Sequence, residues 1–288
     1  STVMSLTNIL ECANRTIDLL LFNDMIQEVQ EERPDIDASK HISAYTVEQL
    51  VVSKDKDDAL FRTIQSLLNY DRELLQLIEE QLQSITGSLI SRGKLIQESA
   101  SVDLSMQTSE STDRAINKYK SMIADAQLLE SLNIRDVCDR LLDYDLCVAI
   151  IDLILQYQAR RRDDSLYDWV RDSLFEDLMP DPQPKVKKQP KSQYKTPALS
   201  TEERKTMRDT VLKLIFHSSD MSMHKLVLEY YAKNGRLRDL LPYKSPLMEQ
   251  FLIERKQYEI LSDYYRTVEK HVINAIKCLI VGAEDTSI

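Results

Sequence analysis

The sequence predicts an all-α fold, an α-solenoid of stacked short antiparallel helix pairs with no β-sheet. Apolar residues recur at helical spacing in segment after segment of the 288 residues. Most of these segments are too short to be stable alone, so they must pack on neighbours, as the units of an α-solenoid do. Only four glycines occur, and none lies in a phosphate-binding motif of the kind a nucleotide-binding α/β fold needs: Gly87, Gly93, Gly235 and Gly282.

The composition is that of an ordinary globular protein, with 43% hydrophobic and 29% charged residues. No run of about 18 apolar residues occurs, so no transmembrane helix is expected. The chain starts at Ser1 without a methionine and ends just after a predicted helix, so we expect a fragment of a longer chain. The cysteines form no C-x-x-C pair and are predicted to be small buried hydrophobes in a reducing compartment: Cys12, Cys138, Cys147 and Cys278.

Residues 3–29 are predicted to form one amphipathic helix whose apolar stripe faces the core. The stripe consists of Leu6, Ile9, Leu10, Ala13, Ile17, Leu20 and Leu21. Helices over 45–53 and 57–86 are predicted next, and a short helix over 89–96. The small polar residues of 99–111 favour a loop, and residues 113–123 return to helical spacing.

A helix–turn–helix follows over 133–157, with the turn at Asp143-Tyr144-Asp145. Its second helix is apolar over most of its circumference, which predicts an inner helix of the array. The cations Arg160 to Arg162 suit the end of that helix, where the dipole is negative. Another helix is predicted from Leu166 to Leu178, with Trp169 in the core.

Residues 179–199 contain five prolines and five lysines and few apolar side chains, which predicts an extended insertion. The predicted domains are therefore a first solenoid part over 1–178, a disordered Pro/Lys-rich insertion over 179–199, and a second solenoid part over 200–288, truncated at its C-terminus. Lys187-Lys188 leaves a targeting signal or a contact with an acidic surface as alternatives to a solvated insertion, and nucleic-acid binding by the lysines is a further alternative. The net charge of −10 for the whole chain speaks against nucleic acid as a general partner.

Ser200 and Glu203 have the spacing of a capping box, so a helix is predicted to begin there. A further helix over Leu226 to Tyr231 is predicted to close at Gly235. Three short helices are predicted after it, from Ser245 as N-cap and Pro246 at the first helical position to Gly282 as left-handed terminator. The stripe of the last helix is Val272, Ile273, Ile276, Leu279 and Ile280.

No arrangement of residues for catalysis or metal binding is found. His217 and His224 are seven residues apart, but Ser218-Ser219-Asp220 between them predicts a helix break. No hydrolase, cysteine-protease or kinase motif occurs. We therefore predict that the protein is not an enzyme, with no catalytic, cofactor-binding or metal residues and no cofactor.

Several segments, in order along the chain, resemble the C-terminal solenoid of the large inner-ring scaffold nucleoporins, the 155/170-kilodalton class. They are Asn133-Ile134 with Val137-Cys138, Ser245-Pro246-Leu247, Tyr264-Tyr265, and Ala275 with Leu279. The resemblance implies a structural scaffold at the nuclear pore complex of the nuclear envelope that supports nucleocytoplasmic transport. It implies other nucleoporins as partners, especially flexible linker nucleoporins. It also implies an indirect link to the pore membrane through parts outside this chain, and no direct nucleic-acid partner.

Two other functions stay open at this point. A vesicle-coat or membrane-tethering solenoid subunit would have similar helices, and an all-helical enzyme would need convergent polar residues that the sequence does not indicate. Partner-binding residues stay unknown, because exposed and buried apolar positions look alike in a sequence.

Overall fold

All regular structure in residues 2–32, 91–179 and 200–285, which the computed structural model describes, is helical. The predicted all-α class is therefore confirmed for this part of the chain. The predicted helices over 45–53 and 57–86 lie outside the described residues, as does the predicted insertion over 179–199 except for Met179.

Thirteen α-helices are described. In chain order they are α1 Thr2–Glu32, α2 Arg92–Ser105, α3 Ser109–Ala124, α4 Ala126–Ser131, α5 Ile134–Asp143, α6 Cys147–Arg160, α7 Ser165–Trp169, α8 Glu176–Leu178, α9 Thr201–His217, α10 Met221–Lys233, α11 Met248–Glu254, α12 Tyr258–Tyr264 and α13 Val272–Asp285. A π-helical turn at Val170–Phe175 joins α7 to α8, and a second, Tyr265–Glu269, follows α12. A 3₁₀ helix, Leu237–Leu240, lies between α10 and α11.

The chain divides into two compact units, 1–133 and 134–288. These two units are defined by which residues contact one another in the fold. The sequence-based division at the 179–199 insertion stays a prediction.

In the first unit, the buried face of α1 differs from the predicted one. Leu19, Phe22 and Met25 are buried, whereas the predicted stripe is exposed: Leu6, Ile9, Leu10, Ala13, Ile17, Leu20 and Leu21. The helix carries apolar residues on two faces. Helical spacing shows which residues share a face, but it does not show which face is packed.

The loop predicted over 99–111 is wrong, because α2 continues to Ser105 and α3 begins at Ser109. Three of the polar residues that suggested a loop, Ser99, Asp103 and Ser111, are buried. The Asp103 carboxylate accepts a hydrogen bond from Arg114 Nη2 at 2.8 Å and lies 3.0 Å from Lys118 Nζ. Lys118 Nζ also donates to Ser99 Oγ. Buried charges are tolerated when they are paired and hydrogen-bonded, and here the pairing joins α2 to α3.

Gly93 lets α2 approach α4 closely. A Cβ atom at this position would lie 1.9 Å from Ser131 Oγ. Gln97 Nε2 donates to the Ser131 carbonyl at 3.1 Å and reinforces the same contact. The glycine therefore has a packing role in the first turn of α2.

In the second unit, α5 and α6 form the predicted pair. The turn between them places Asp145 in the left-handed region at φ 58°. The predicted inner position of α6 is confirmed, since it contacts both α5 and α9. Its buried residues are Cys147, Ile150, Ile151, Leu153, Ile154 and Tyr157.

Trp169 is buried, as predicted, and its indole Nε1–H donates to Asp139 at 2.8 Å. The predicted capping box is also confirmed. Ser200 Oγ accepts from the Glu203 N–H at 3.2 Å, and the Ser200 N–H donates to the Glu203 carboxylate at 2.8 Å. Gly235 closes α10 in the left-handed region at φ 67°.

Two predictions at the C-terminal end are wrong. Helix α11 begins at Met248, so Pro246 is not its first residue, and Ser245 forms a buried turn before the helix instead of capping it. The Met248 N–H donates to the Ser245 carbonyl at 3.1 Å, and the Leu247 N–H donates to its Oγ at 3.3 Å. Gly282 does not end α13 but lies inside it, where a Cβ would be 3.0 Å from Tyr258 Cβ.

Candidate partner-binding surface

A cleft of about 530 Å³ opens within the second unit, between the 3₁₀ helix, the start of α12 and the end of α13. Its lining residues are Gly235, Arg238, Lys256, Gln257, Tyr258, Glu259, Ile260, Leu279, Gly282 and Ala283. Lys256 stands in the turn between α11 and α12 with φ 53°, a left-handed conformation that reverses the chain tightly. Two backbone hydrogen bonds stabilise that turn. The Lys256 N–H donates to the Ile253 carbonyl at 3.0 Å, and the Gln257 N–H donates to the Leu252 carbonyl at 2.9 Å.

The polar wall of the cleft carries an exposed guanidinium. Arg238 Nη2 lies 3.4 Å from Glu259 Oε2, and Arg238 Nε lies 3.4 Å from Asp263 Oδ2. Both distances exceed the 2.7–2.9 Å that is typical of a strong charge-assisted hydrogen bond. These are weak contacts at an exposed site, so another anion could compete for the guanidinium.

An aliphatic stripe on α13 is continuous with the cleft. We define the α13 stripe as Val272, Ile273, Ile276, Leu279 and Ile280, each more than half exposed. Leu279 belongs to both the stripe and the cleft wall. Helix α13 packs on α12 through its other side, where Ala275 is buried and Gly282 approaches Tyr258. The two faces use different residues, so the stripe is not needed to hold α13 in place.

The sequence marked the α13 stripe correctly as one face, but predicted it to be buried in the fold. The structure corrects this, since Ile273 is 71% exposed. Five aliphatic side chains in one exposed patch are uncommon on a monomeric protein, and such patches mark interaction sites. No signal in the sequence distinguishes this face from the buried one, because both are apolar.

Other residues singled out in the sequence serve the core. His224 is buried in α10, its Nε2 lies 3.1 Å from the Ser218 carbonyl, and its Nδ1 lies 3.2 Å from Ser245 Oγ. Since a carbonyl can only accept, Nε2 carries the proton and Nδ1 accepts from the Ser245 hydroxyl. Burial lowers the pKa of His224, so the ring is neutral at neutral pH. His217 ends α9, and the predicted break separates the two histidines.

The Tyr264-Tyr265 pair is buried at the end of α12, and both hydroxyls reach carboxylates. Tyr264 donates to Glu269 at 3.2 Å and Tyr265 donates to Glu249. Burial and the hydrogen-bonded Glu249 raise the pKa of Tyr265 well above its usual range. The pair therefore connects α11, α12 and the following π-helical turn, and it serves packing rather than chemistry.

An arginine cluster, which the sequence did not indicate, surrounds the end of α8. Arg236 Nη1 donates to the Met179 carbonyl at 3.0 Å, and Arg208 Nη1 donates to the same oxygen at 3.3 Å. Arg204 Nη1 donates to the Asp177 carbonyl at 2.6 Å. The last carbonyls of a helix lack partners within the helix, and cations there also complement its dipole. The cluster fixes the end of α8 against α9 and the end of α10.

The cysteines show no reactive arrangement. Cys138 and Cys147 are buried as predicted, but Cys12 is exposed and Cys278 is half-buried, so the prediction is wrong for Cys12. Burial raises the pKa of Cys147 to about 12, and it raises that of Cys138 further. Among the residues that the structure describes, no cluster of three or more potential metal ligands occurs. Within the same ranges, none of the helices combines the length and apolarity that crossing a bilayer requires.

Stacked helix pairs with an exposed aliphatic face and a cleft are typical of helical scaffold proteins. The model of the non-repetitive/WGA-negative nucleoporin C-terminal family matches residues 3–280. The chain belongs to this family. The protein is therefore a nuclear pore scaffold component, and its location is the nuclear pore complex at the nuclear envelope.

The fold is also that of a solved nucleoporin. The crystal structure of Chaetomium thermophilum Nup170 SOL is similar over 96% of this chain, with a TM-score of 0.51 and 16% sequence identity. The match confirms the predicted α-solenoid. The aligned part spans 40% of the length of that protein. No curated protein sequence matches the chain.

Proposed function

We propose that this chain is a scaffold element of the inner ring of the nuclear pore complex that holds short motifs of flexible linker nucleoporins and so supports nucleocytoplasmic transport. Membership of the nucleoporin family supports the general role. The observation that carries the binding role is the α13 stripe together with the cleft at Leu279 and Arg238. An apolar surface beside a few polar groups is the usual form of a site for short peptide motifs.

Direct binding to linker nucleoporins tests the proposal. Recombinant linker nucleoporins, in segments, would be titrated against the full chain by calorimetry. We expect saturable binding that Ile276→Ser weakens. The matched control is Met221→Ser, which also removes an exposed apolar side chain in the second unit but lies on α10, outside the α13 stripe and the cleft lining. Equal weakening by both substitutions would contradict a specific role of the α13 stripe.

A vesicle-coat or tethering role predicts different partners. In a pull-down from nuclear-envelope extract with recombinant linker nucleoporins added, we expect recovery of those linkers. Recovery of coat or tethering subunits alone would overturn the proposal. Mass spectrometry of the captured proteins distinguishes the two outcomes.

Under this proposal the protein is not an enzyme, its partners are other nucleoporins, and it does not contact nucleic acid directly. A thermal-shift measurement with nucleotides and divalent metals checks the first point. We expect no change in melting temperature, because a ligand stabilises a protein only by binding its folded state. A large stabilisation by any of these compounds would favour an enzyme.

A further inference from the structure

We infer that the α13 stripe and the adjoining cleft bind an amphipathic helix whose aliphatic face is flanked by carboxylates. The inference rests on the proposed function and deepens it by naming the chemistry of the partner segment. It depends on the shape of the stripe, on its continuity with the cleft, and on the charges along its two edges.

The shape of the stripe favours a helix as the bound segment. Val272, Ile276 and Leu279 follow the helix axis, with Ile273 and Ile280 beside them, so the stripe is a ridge two to three turns long. Aliphatic ridges of this length match the i, i+3, i+4, i+7 side chains of a second helix. Extended motifs are usually held by a sheet edge or by a groove lined with aromatic residues. The described residues of this surface include only one aromatic side chain, Tyr258.

The cleft supplies a place for the end of the bound helix. Leu279 connects the ridge to the cleft, whose volume of about 530 Å³ is in the range of clefts that hold drug-sized ligands, so it can take side chains but not a whole helix. A helix lying along the ridge would therefore insert one apolar side chain beside Leu279 and Ile260. This anchor fixes the register of the helix on the stripe.

The charges on both edges of the stripe favour a partner with carboxylates. Lys277 is exposed one turn from Ile273 and Ile280, on the edge away from the cleft. On the other edge the cleft presents Arg238 and Lys256. The two edges together carry three cations, Arg238, Lys256 and Lys277, and two carboxylates that lie 3.4 Å from Arg238, Glu259 and Asp263. The formal charge of these five groups is three minus two, or +1, within a chain of net charge −10. Rim charges of this kind set partner choice and association rate more than affinity.

The experiment uses synthetic helical peptides of about 14 residues, or four turns, with a fluorescent label. All share one aliphatic face, and the flanking positions are glutamate in one peptide and lysine in the other. Binding to the full chain is measured by fluorescence polarisation at low and at high salt. We expect the glutamate peptide to bind about tenfold more tightly at low salt, and the difference to shrink as salt screens the charges.

Substitutions in the chain locate the binding site. Ile276→Ser should lower the affinity for the glutamate peptide by about tenfold or more, as expected for the loss of a central apolar contact. The pair Arg238→Gln and Lys277→Gln should remove the preference for glutamate over lysine without abolishing binding. Met221→Ser and Lys225→Gln, exposed apolar and cationic positions on α10, are the matched controls and should leave both peptides unchanged. Circular dichroism of each variant confirms that it is folded.

The outcomes separate this inference from the proposed function. Linker nucleoporins could bind while neither helical peptide binds, or while the glutamate and lysine peptides bind equally well. Either result overturns the inferred partner chemistry and leaves the proposed scaffold function standing. If neither linkers nor peptides bind, both are overturned. If light scattering shows that the chain dimerises and that Ile276→Ser makes it monomeric, a second copy covers the stripe, and the inference is wrong.

Discussion

At the scale of single residues, His224 shows how burial makes a side chain sensitive to pH. Its ring lies between Ser218 and Ser245 and stacks edge-on against Phe216 at 5.3 Å. Burial lowers the pKa of His224 below the ordinary value of 6.5, and this effect outweighs the opposing effects of the Ile215 and Ser218 backbone carbonyls and of nearby Asp220. A histidine whose pKa is lower in the folded state than in the unfolded state makes its full contribution to the stability of the fold above pH 6.5. This contribution is lost as the pH falls below that value.

We therefore predict that the chain loses stability between pH 7.5 and pH 5.5, and that His224→Gln loses less over this interval because its side chain does not titrate. Urea unfolding followed by circular dichroism at both pH values measures the difference. The control is His217→Gln, since His217 is exposed at the end of α9. An equal pH dependence of the wild type and of His224→Gln would show that other groups cause it.

Gly93 gives a second prediction for a single position. Gly93→Ala would place a Cβ atom 1.9 Å from Ser131 Oγ, so α2 and α4 would have to separate. We expect a loss of about 1–3 kcal/mol in the free energy of unfolding, the usual cost of overpacking, despite the better helix propensity of alanine. The second substitution Ser131→Gly should restore part of this loss. A Gly93→Ala variant as stable as the wild type would contradict the close approach.

At the scale of helices, the pairing of α2 and α3 depends on the buried Asp103. Its carboxylate is fully buried, while Arg114 and Lys118 keep 27% and 21% of their side chains exposed. Asp103→Ala should cost about 2–3 kcal/mol, less than the roughly 3–5 kcal/mol for breaking a fully buried pair, because water can reach the two cations left behind. The same change at the exposed Asp172 should cost less than about 0.5 kcal/mol. Denaturant unfolding of both variants makes the comparison.

The two faces of α13 should also respond differently to substitution. Ala275→Leu adds volume to the buried contact with α12 and should destabilise the chain by about 1–3 kcal/mol. Ile276→Ser, on the exposed α13 stripe, should change stability by less than about 0.5 kcal/mol. Thermal unfolding of the two variants tests this. A strong loss for Ile276→Ser would mean that the stripe is part of the folded core, and the binding proposals would lose their basis.

Sequence reasoning identified most of the helices, because helical spacing is a property of each segment by itself. It predicted the α5–α6 pair, the Ser200 capping box and the left-handed Gly235, all of which depend on neighbours close in the chain. It failed at α2, where Ser99 and Asp103 look like loop residues until Lys118 and Arg114 are placed beside them. Sequence reasoning also could not locate the candidate site, because the exposure of the α13 stripe depends on which face of α13 packs against α12.

At the scale of the whole molecule, contacts in a helical array join mainly neighbouring helices, so stability is expected to be local. The division into the units 1–133 and 134–288 agrees with this expectation. We predict that Gly93→Ala speeds hydrogen exchange in α2 to α4 and leaves the amides of α9 to α13 unchanged. Exchange measured by mass spectrometry on the intact chain gives the result. Faster exchange throughout α9 to α13 would instead indicate one cooperative unit.

The arginine cluster at the end of α8 has a consequence for how the chain tolerates being cut. The cluster consists of Arg204, Arg208 and Arg236, which all follow residue 200 in the chain. Their side chains donate hydrogen bonds to backbone carbonyls that precede residue 180. Tyr230 adds a hydrogen bond to the Phe175 carbonyl at 3.2 Å. Two polypeptides, one ending at 179 and one starting at 200, should accordingly reassemble when mixed, because these hydrogen bonds and the packing of α9 on α6 do not require a continuous backbone.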